Sequence, residues 1–208
     1  MPVTTPGKRS SSRRAGILEA TLRVIAGRGV DGVTHRAVAL EAEVPAAATT
    51  YYFDSKEALV EEALELVIDR STALVRRHAE GAPPAGPAEL VDRLVDLVEL
   101  QVADREAPLA AQYELMLEAG RRQRLRPLAE RWETTYMAAL TALVAGAGLP
   151  RPQLSAEILA DAMEGALLGQ LALPRDDFID GHLRPQLDAP VALRAGHAAR
   201  TGQLDGRR

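Results

Sequence analysis

No cysteine occurs anywhere in the 208 residues. Disulfides, thiolate zinc sites and a cysteine nucleophile are therefore excluded. The absence fits a cytoplasmic protein, which is the expected localisation. Aromatic residues make up only 3% of the chain, whereas hydrophobic residues reach 47%. Strands favour β-branched and aromatic side chains, so a chain dominated by Ala and Leu is expected to be all-α with a sizeable core. No apolar run approaches the length that spans a bilayer, and no signal-peptide core follows the basic N-terminal residues. Neither membrane insertion nor secretion is expected. Also missing are a phosphate-cradling glycine loop, an HExxH pair and a nucleophile elbow. The four histidines (His35, His78, His182, His197) are scattered, and Glu114 and Glu164 stand as isolated carboxylates. The chain is expected not to be an enzyme and to need no cofactor or metal.

What is present is an uneven charge. The net charge is −4, which taken alone argues against nucleic acid. Residues 1–40, however, hold Lys8, Arg9, Arg13, Arg14, Arg23, Arg28 and Arg36 against only Glu19 and Asp31. That end carries +5 and leaves −9 for the remainder. A basic end on an acidic body fits a local DNA-binding surface with a separate domain behind it. A solvated basic tail would explain the same count.

Breakers and caps divide the chain. Residues 1–12, rich in Ser, Pro and Thr, read as a flexible basic arm. A first helix is expected from Arg13, closed by Gly27 and Gly29. Thr34 is a good N-cap for a short second helix, Glu43-Val44 a turn, and Pro45 the first position of a third helix ending near Phe53. Asp54-Ser55-Lys56-Glu57 reads as a capping box with Asp54 as the cap. A long helix follows to about Glu80. The stretch 81–87 is the clearest linker. Later helices are expected over 88–105, 108–119, 122–147 and 153–173, with a last one from Gly181 to about Ala195 that Pro185 and Pro190 interrupt.

The expected domains are the arm at 1–12, a helix-turn-helix DNA-binding domain at 13–58, a helical effector-binding and dimerisation domain at 59–200, and a disordered tail at 201–208. Two short helices held at a fixed angle need a small apolar core, which Val38, Ala39, Ala42 and Val44 supply. Pro45 to Ala48 give the second helix a slim leading edge. Thr49, Thr50, Tyr51 and Tyr52 place hydroxyls on it that can bond phosphates. One of the two tyrosines is expected to anchor the core, and Phe53 to lie in it. Lys56 in the first turn of a helix opposes the macrodipole, and a phosphate there would satisfy it. An ordinary exposed lysine is the other reading. Thr34, His35 and Arg36 open the first motif helix, where backbone phosphate is the usual neighbour.

The run Ile17 to Ala39, followed by Glu43-Val-Pro-Ala-Ala-Ala-Thr-Thr-Tyr-Tyr-Phe53-Asp-Ser-Lys56-Glu-Ala-Leu59, resembles the N-terminal domain of TetR-family regulators. The Thr-Thr-Tyr-Tyr-Phe ending before Ser-Lys-Glu-x-Leu carries the resemblance. It implies a homodimer that binds a palindromic operator in double-stranded DNA and leaves it when a small molecule binds the larger domain. It further implies phosphate contacts at Thr34, Tyr51 and Lys56, and base reading by Ala46, Ala47 and Thr49. The sequence departs from the family where Glu43 replaces a common Gly, where Pro45 replaces a Ser or Thr, and where Thr50 aligns with the family's commonest Tyr. With few groups for bidentate base bonds, discrimination is expected to lean on DNA shape. Arg9, Arg13 and Arg14 of the arm are expected to add contacts in the minor groove or along phosphate.

Beyond residue 59 the ligand site is sought as polar and aromatic residues on apolar faces. Gln101, Tyr113, Met116, Trp132, Tyr136, Met137 and Met163 are the candidates, with plain core packing as the alternative reading for each. Dimerisation is expected through the last two helices, where Ala160, Ala162, Gly165, Ala166 and Gly169 permit close approach. A helical protein-binding adaptor and a ligand-independent DNA-binding regulator remain as alternative functions.

Overall fold

The computed structural model describes the backbone of residues 6–103 and 109–205, and side chains within 10–103 and 109–196. The described residues are helical throughout, joined by short turns, as the composition implies. The elements are α1 (Pro6–Arg28), α2 (His35–Glu41), α3 (Ala46–Tyr52), α4 (Lys56–Ala79), α5 (Pro87–Ala103), α6 (Leu109–Arg121), α7 (Arg126–Gly146), α8 (Pro152–Ala172) and α9 (Arg184–Asp205). A 3-10 turn, Val30–Gly32, follows α1, and a π-helical turn, Phe178–Leu183, precedes α9. Among the described residues no helix is long and apolar enough to cross a membrane.

The chain forms two compact units. The first holds the chain up to Arg70 together with the segment Asp104–Arg131. The second holds Ser71–Ala103 and the chain from Trp132 onward. These units are discontinuous in sequence, whereas the domains read from the motif (13–58 and 59–200) are contiguous. The cause is α6, whose buried Ala111, Leu115 and Ala119 pack in the first unit beside α1.

In the first unit α1 buries Ile17, Ala20, Thr21, Leu22, Val24 and Ile25. The Thr21 hydroxyl donates to the Ile17 carbonyl at 2.9 Å, so its burial leaves no group unpaired. Gly29 ends the helix at φ +67, a left-handed conformation that a side chain would strain, and its N–H donates to Ile25 O at 2.8 Å. Leu59, Ala63, Leu64, Val67 and Ile68 of α4 complete this core with Phe53. Each fully buried Leu or Phe stabilises the fold by about 1.5–3 kcal/mol. Two expectations change. Helix α1 begins at Pro6, so residues 6–12 are helix rather than a flexible arm; Pro suits a first helical position, and Ser and Arg extend a helix already anchored by the Ile17 turn. Residues 1–5 of that arm lie outside the described residues. Ser55, not Asp54, caps α4: its Oγ accepts the Ala58 N–H at 3.1 Å.

In the second unit α5 presents Leu90, Val91, Leu94, Val95, Leu97 and Val98 to the interior. They pack against α9 and the π-helical turn, where Leu183, Leu187 and Val191 are buried, and α8 packs on the same two elements. Leu140, Leu143 and Val144 of α7 and Ala156, Leu159, Ala160, Met163, Ala166 and Leu167 of α8 are also buried in this unit. The last helix begins at Arg184 rather than Gly181, runs through Pro190 without interruption, and continues past Ala195 to Asp205. Pro185 sits in the first turn, where N–H groups have no intrahelical acceptor. Burial of Leu187 and Val191 on either side of Pro190 offsets the bond the proline removes. The expected disordered tail at 201–208 is helical to Asp205; residues 206–208 lie outside the described residues.

Candidate nucleic-acid interface

Thr34 is extended (φ −141, ψ 153), and its side chain accepts the Ala37 N–H at 3.0 Å. It therefore caps α2 while its own hydroxyl proton stays available on an exposed side chain. Helix α2 ends in a reversal built from paired backbone bonds. The Val44 N–H reaches Ala39 O at 3.0 Å, and the Glu43 N–H reaches Leu40 O at 3.2 Å. This is a Schellman closure, and its left-handed position is held by Glu43 at φ 54. A Cβ in that conformation is strained by roughly 1 kcal/mol relative to glycine. Pro45 is the N-cap of α3 rather than its first residue, and no side chain caps that end.

Helix α3 is seven residues long, and its faces separate sharply. Thr49 is fully buried. Its hydroxyl donates to Ala46 O at 2.8 Å and lies 3.2 Å from His35 Nδ1. The expected base-reading role of Thr49 thus gives way to a clasp between α2 and α3. Every residue of this helix is small, hydroxylated or aromatic, so composition alone does not mark which side faces inward. Ala46, Ala47 and Thr50 are exposed, with the Thr50 hydroxyl donating to Ala47 O at 3.2 Å. Tyr51 is 79% exposed, and its ring meets that of Tyr52 edge-on at 4.9 Å. Tyr52 is half-buried and Phe53 is buried, so one tyrosine anchors and the other projects. His35 is half-buried and Arg36 exposed. Lys56 Nζ donates to Asp31 O at 3.1 Å, which ties the start of α4 to the turn before α2 and leaves two ammonium protons for another acceptor.

Two features of this region have no signal in the sequence. The Ser10 hydroxyl lies 3.2 Å from the Tyr52 hydroxyl. Arg14 pairs with Glu62, and its guanidinium carbon sits 5.1 Å from the Phe53 ring centroid. Arg14 is thereby committed to the fold rather than to an outside anion. Pairings across 42 and 48 residues leave no local pattern.

The residues expected to bind a ligand are divided. Tyr113 and Met116 belong to the first unit, and Gln101, Trp132, Tyr136, Met137 and Met163 to the second. Within the second, Trp132 stacks on Tyr136 at 5.1 Å and donates its Nε1–H to Ser71 Oγ at 3.0 Å. Trp132, Tyr136 and Met163 are buried, Met137 and Gln101 half-exposed. A groove of about 390 Å³ lies between the end of α5 (Glu99, Val102, Ala103), Gln170 of α8 and the segment Arg175–Asp180, and none of the seven candidates lines it. Gln170 braces that segment, accepting the Arg175 N–H at 2.9 Å and donating to its carbonyl at 3.2 Å. Burial, then the Glu133 and Asp161 carboxylates, hold the Glu164 carboxyl above the usual glutamate range. Of the small residues on α8, Ala160 and Ala166 are buried within the chain, while Gly165, Leu154, Leu168 and Leu171 face outward, as does Leu193 on α9.

This architecture has close counterparts. Residues 17–63 match the profile of bacterial regulatory proteins of the tetR family, and residues 85–193 match that of the tetracyclin repressor-like C-terminal domain. The nicotine-responsive transcriptional repressor HdnoR of Paenarthrobacter nicotinovorans is 27% identical over 185 residues, which cover 85% of this chain and 94% of that one. A TetR-family member from Streptomyces coelicolor A3 superposes with a TM-score of 0.65 at 28% identity, covering 86% of this chain and 97% of its own. The multidrug binding protein EbrR, solved with ethidium, gives 0.61 at 28% identity and covers 86% and 98%. With the helix-turn-helix, the all-α second unit and both profiles in agreement, the chain belongs to the TetR family and is a DNA-binding transcriptional regulator.

Proposed function

We propose that the protein is a repressor that holds a palindromic operator as a homodimer and leaves it when a small molecule binds the second unit. The observation that carries the DNA reading is the outward projection of Tyr51, flanked by Ala46, Ala47 and Thr50, from a helix whose inner side is locked by Thr49. A slim helix with small side chains approaches the major groove closely, and a projecting phenol can donate to phosphate. Thr34, Arg36 and Lys56 supply further donors on the same motif, and His35 and Tyr52 brace it. Dimerisation would bury the outward Leu154, Leu168, Leu171 and Leu193 of α8 and α9 against a second copy.

Release by a ligand is supported by relatives. One is named as nicotine-responsive, and another is solved with ethidium and with malachite green. In this chain Trp132, Tyr136, Met137 and Met163 would supply apolar lining and Gln101 a polar group once the packed interior of the second unit opened to admit a ligand. The test is fluorescence anisotropy of the full-length protein on labelled intergenic DNA beside its own gene, over a series of salt concentrations. Affinity should fall steeply with salt, Tyr51→Ala should weaken binding at least tenfold with the melting temperature intact, and nicotine or ethidium is the first probe for release. Binding by the Tyr51→Ala variant equal to the wild type would refute the assigned face. Salt-independent or absent DNA binding would favour a protein-binding adaptor.

A further inference from the structure

The groove of about 390 Å³ in the second unit has no part in the readings above. Its volume falls within the roughly 300–1,000 Å³ of small-molecule pockets. One wall is the last turn of α5, where Glu99, Val102 and Ala103 share a face by their i, i+3, i+4 spacing and are all exposed. The other is the segment that leads from α8 into the π-helical turn, with Phe178 buried and Ile179 half-buried at its base. Gln170 holds that wall in place through the Arg175 N–H and carbonyl, so the groove is formed before anything enters it.

Its charge is one-sided. The carboxylates of Glu99, Asp176, Asp177 and Asp180 line it against a single guanidinium, Arg175. Asp180 is shared with Arg184, whose Nε lies 3.6 Å away. Glu99, Asp176 and Asp177 make no ion pair or side-chain hydrogen bond with a described residue. A Cβ at Gly181 would collide with the Asp177 carboxylate, so the bare glycine leaves the room that this acid occupies. Among the described residues no set of acids or histidines converges closely enough to hold a metal ion.

We propose that this groove binds a small organic cation with a flat apolar body, its charge set against Glu99 and Asp177 and its body against Val102, Ala103 and Ile179. The site is separate from the interior around Trp132 and Tyr136, and it depends on neither DNA binding nor release. Charge complementarity names the occupant, because a groove of net negative charge repels carboxylates and phosphates and concentrates cations. The walls decide its kind. A compact inorganic cation would find no ligand cage and would leave the apolar surfaces wet, whereas a diffuse organic cation covers them and keeps its charge at the exposed rim.

The experiment is calorimetric titration of the full-length protein without DNA. N-methylquinolinium is the probe, and 2-methylquinoline, held at a mildly alkaline pH where it is uncharged, is its isostere. The wild type should bind the cation at least about tenfold more tightly than the isostere, with affinity falling as salt rises, because these carboxylates are exposed. Glu99→Gln combined with Asp177→Asn should remove that advantage and leave the melting temperature unchanged, since neither carboxylate has a partner to lose. Gly181→Ala should weaken the cation alone by displacing Asp177. Asp188→Asn, which removes an exposed carboxylate of α9 outside the groove, should bind as the wild type does. No preference for the cation, wild-type affinity in the double variant, or an equal loss in Asp188→Asn would each overturn the groove as a cation site. None of these results touches operator binding, so the repressor reading is tested separately.

Discussion

The Thr49 hydroxyl and the His35 imidazole meet 3.2 Å apart across the turn of the motif, with the same hydroxyl donating back to Ala46 O. The pair fixes α3 against α2 by hydrogen bonds rather than by bulk. Thr49→Val keeps the shape and removes the bonds. It should cost about 1–2 kcal/mol, the usual penalty for leaving a buried partner unmet. Thr49→Ser should recover most of it. Thermal melting of the three proteins checks the order, and a valine variant as stable as the wild type would mean the clasp contributes nothing.

Glu43 occupies the left-handed position of the motif turn at φ 54. Replacement by glycine relieves the Cβ strain at an exposed site without disturbing a buried contact. Glu43→Gly should stabilise the protein by roughly 1 kcal/mol, a rise of about 2–4 °C in the melting midpoint for a chain of this length. An unchanged or lowered midpoint would show that the side chain offsets its own strain.

Glu164 is held above its ordinary value by burial and by Glu133 and Asp161. Its folded-state pKa lies above the unfolded one, so the folded state binds the proton more tightly. Stability from this group is therefore full below the unfolded glutamate value and is lost as pH rises through the folded value. Glu164→Gln should match the wild type in acid and exceed it above that window. Urea midpoints for both proteins, measured from the ordinary glutamate range upward to neutral pH, would show whether the curves diverge as pH rises; parallel curves would exclude the effect.

The helix class, the caps at Thr34 and Gly29, the turn at Glu43 and the inward Phe53 are legible in the sequence because each depends on neighbours within a few residues. The extent of α1 is not. Its Ser and Arg positions become helical through packing of the Ile17 turn, and the contact of Ser10 with Tyr52 spans 42 residues. Thr49 is hidden for a related reason: on a seven-residue helix of small polar side chains, hydrophobic periodicity is too weak to name the inner face.

By itself the sequence determined an all-α chain with a helix-turn-helix and a resemblance strong enough to name its family, because propensity, capping and local spacing act within a turn or two. Tertiary structure decided which hydroxyls look out, which arginines are committed to Glu62 and Glu41, and that α6 joins the DNA-binding unit. Those outcomes depend on which faces of distant helices come together to bury their apolar stripes, and no local pattern encodes that choice.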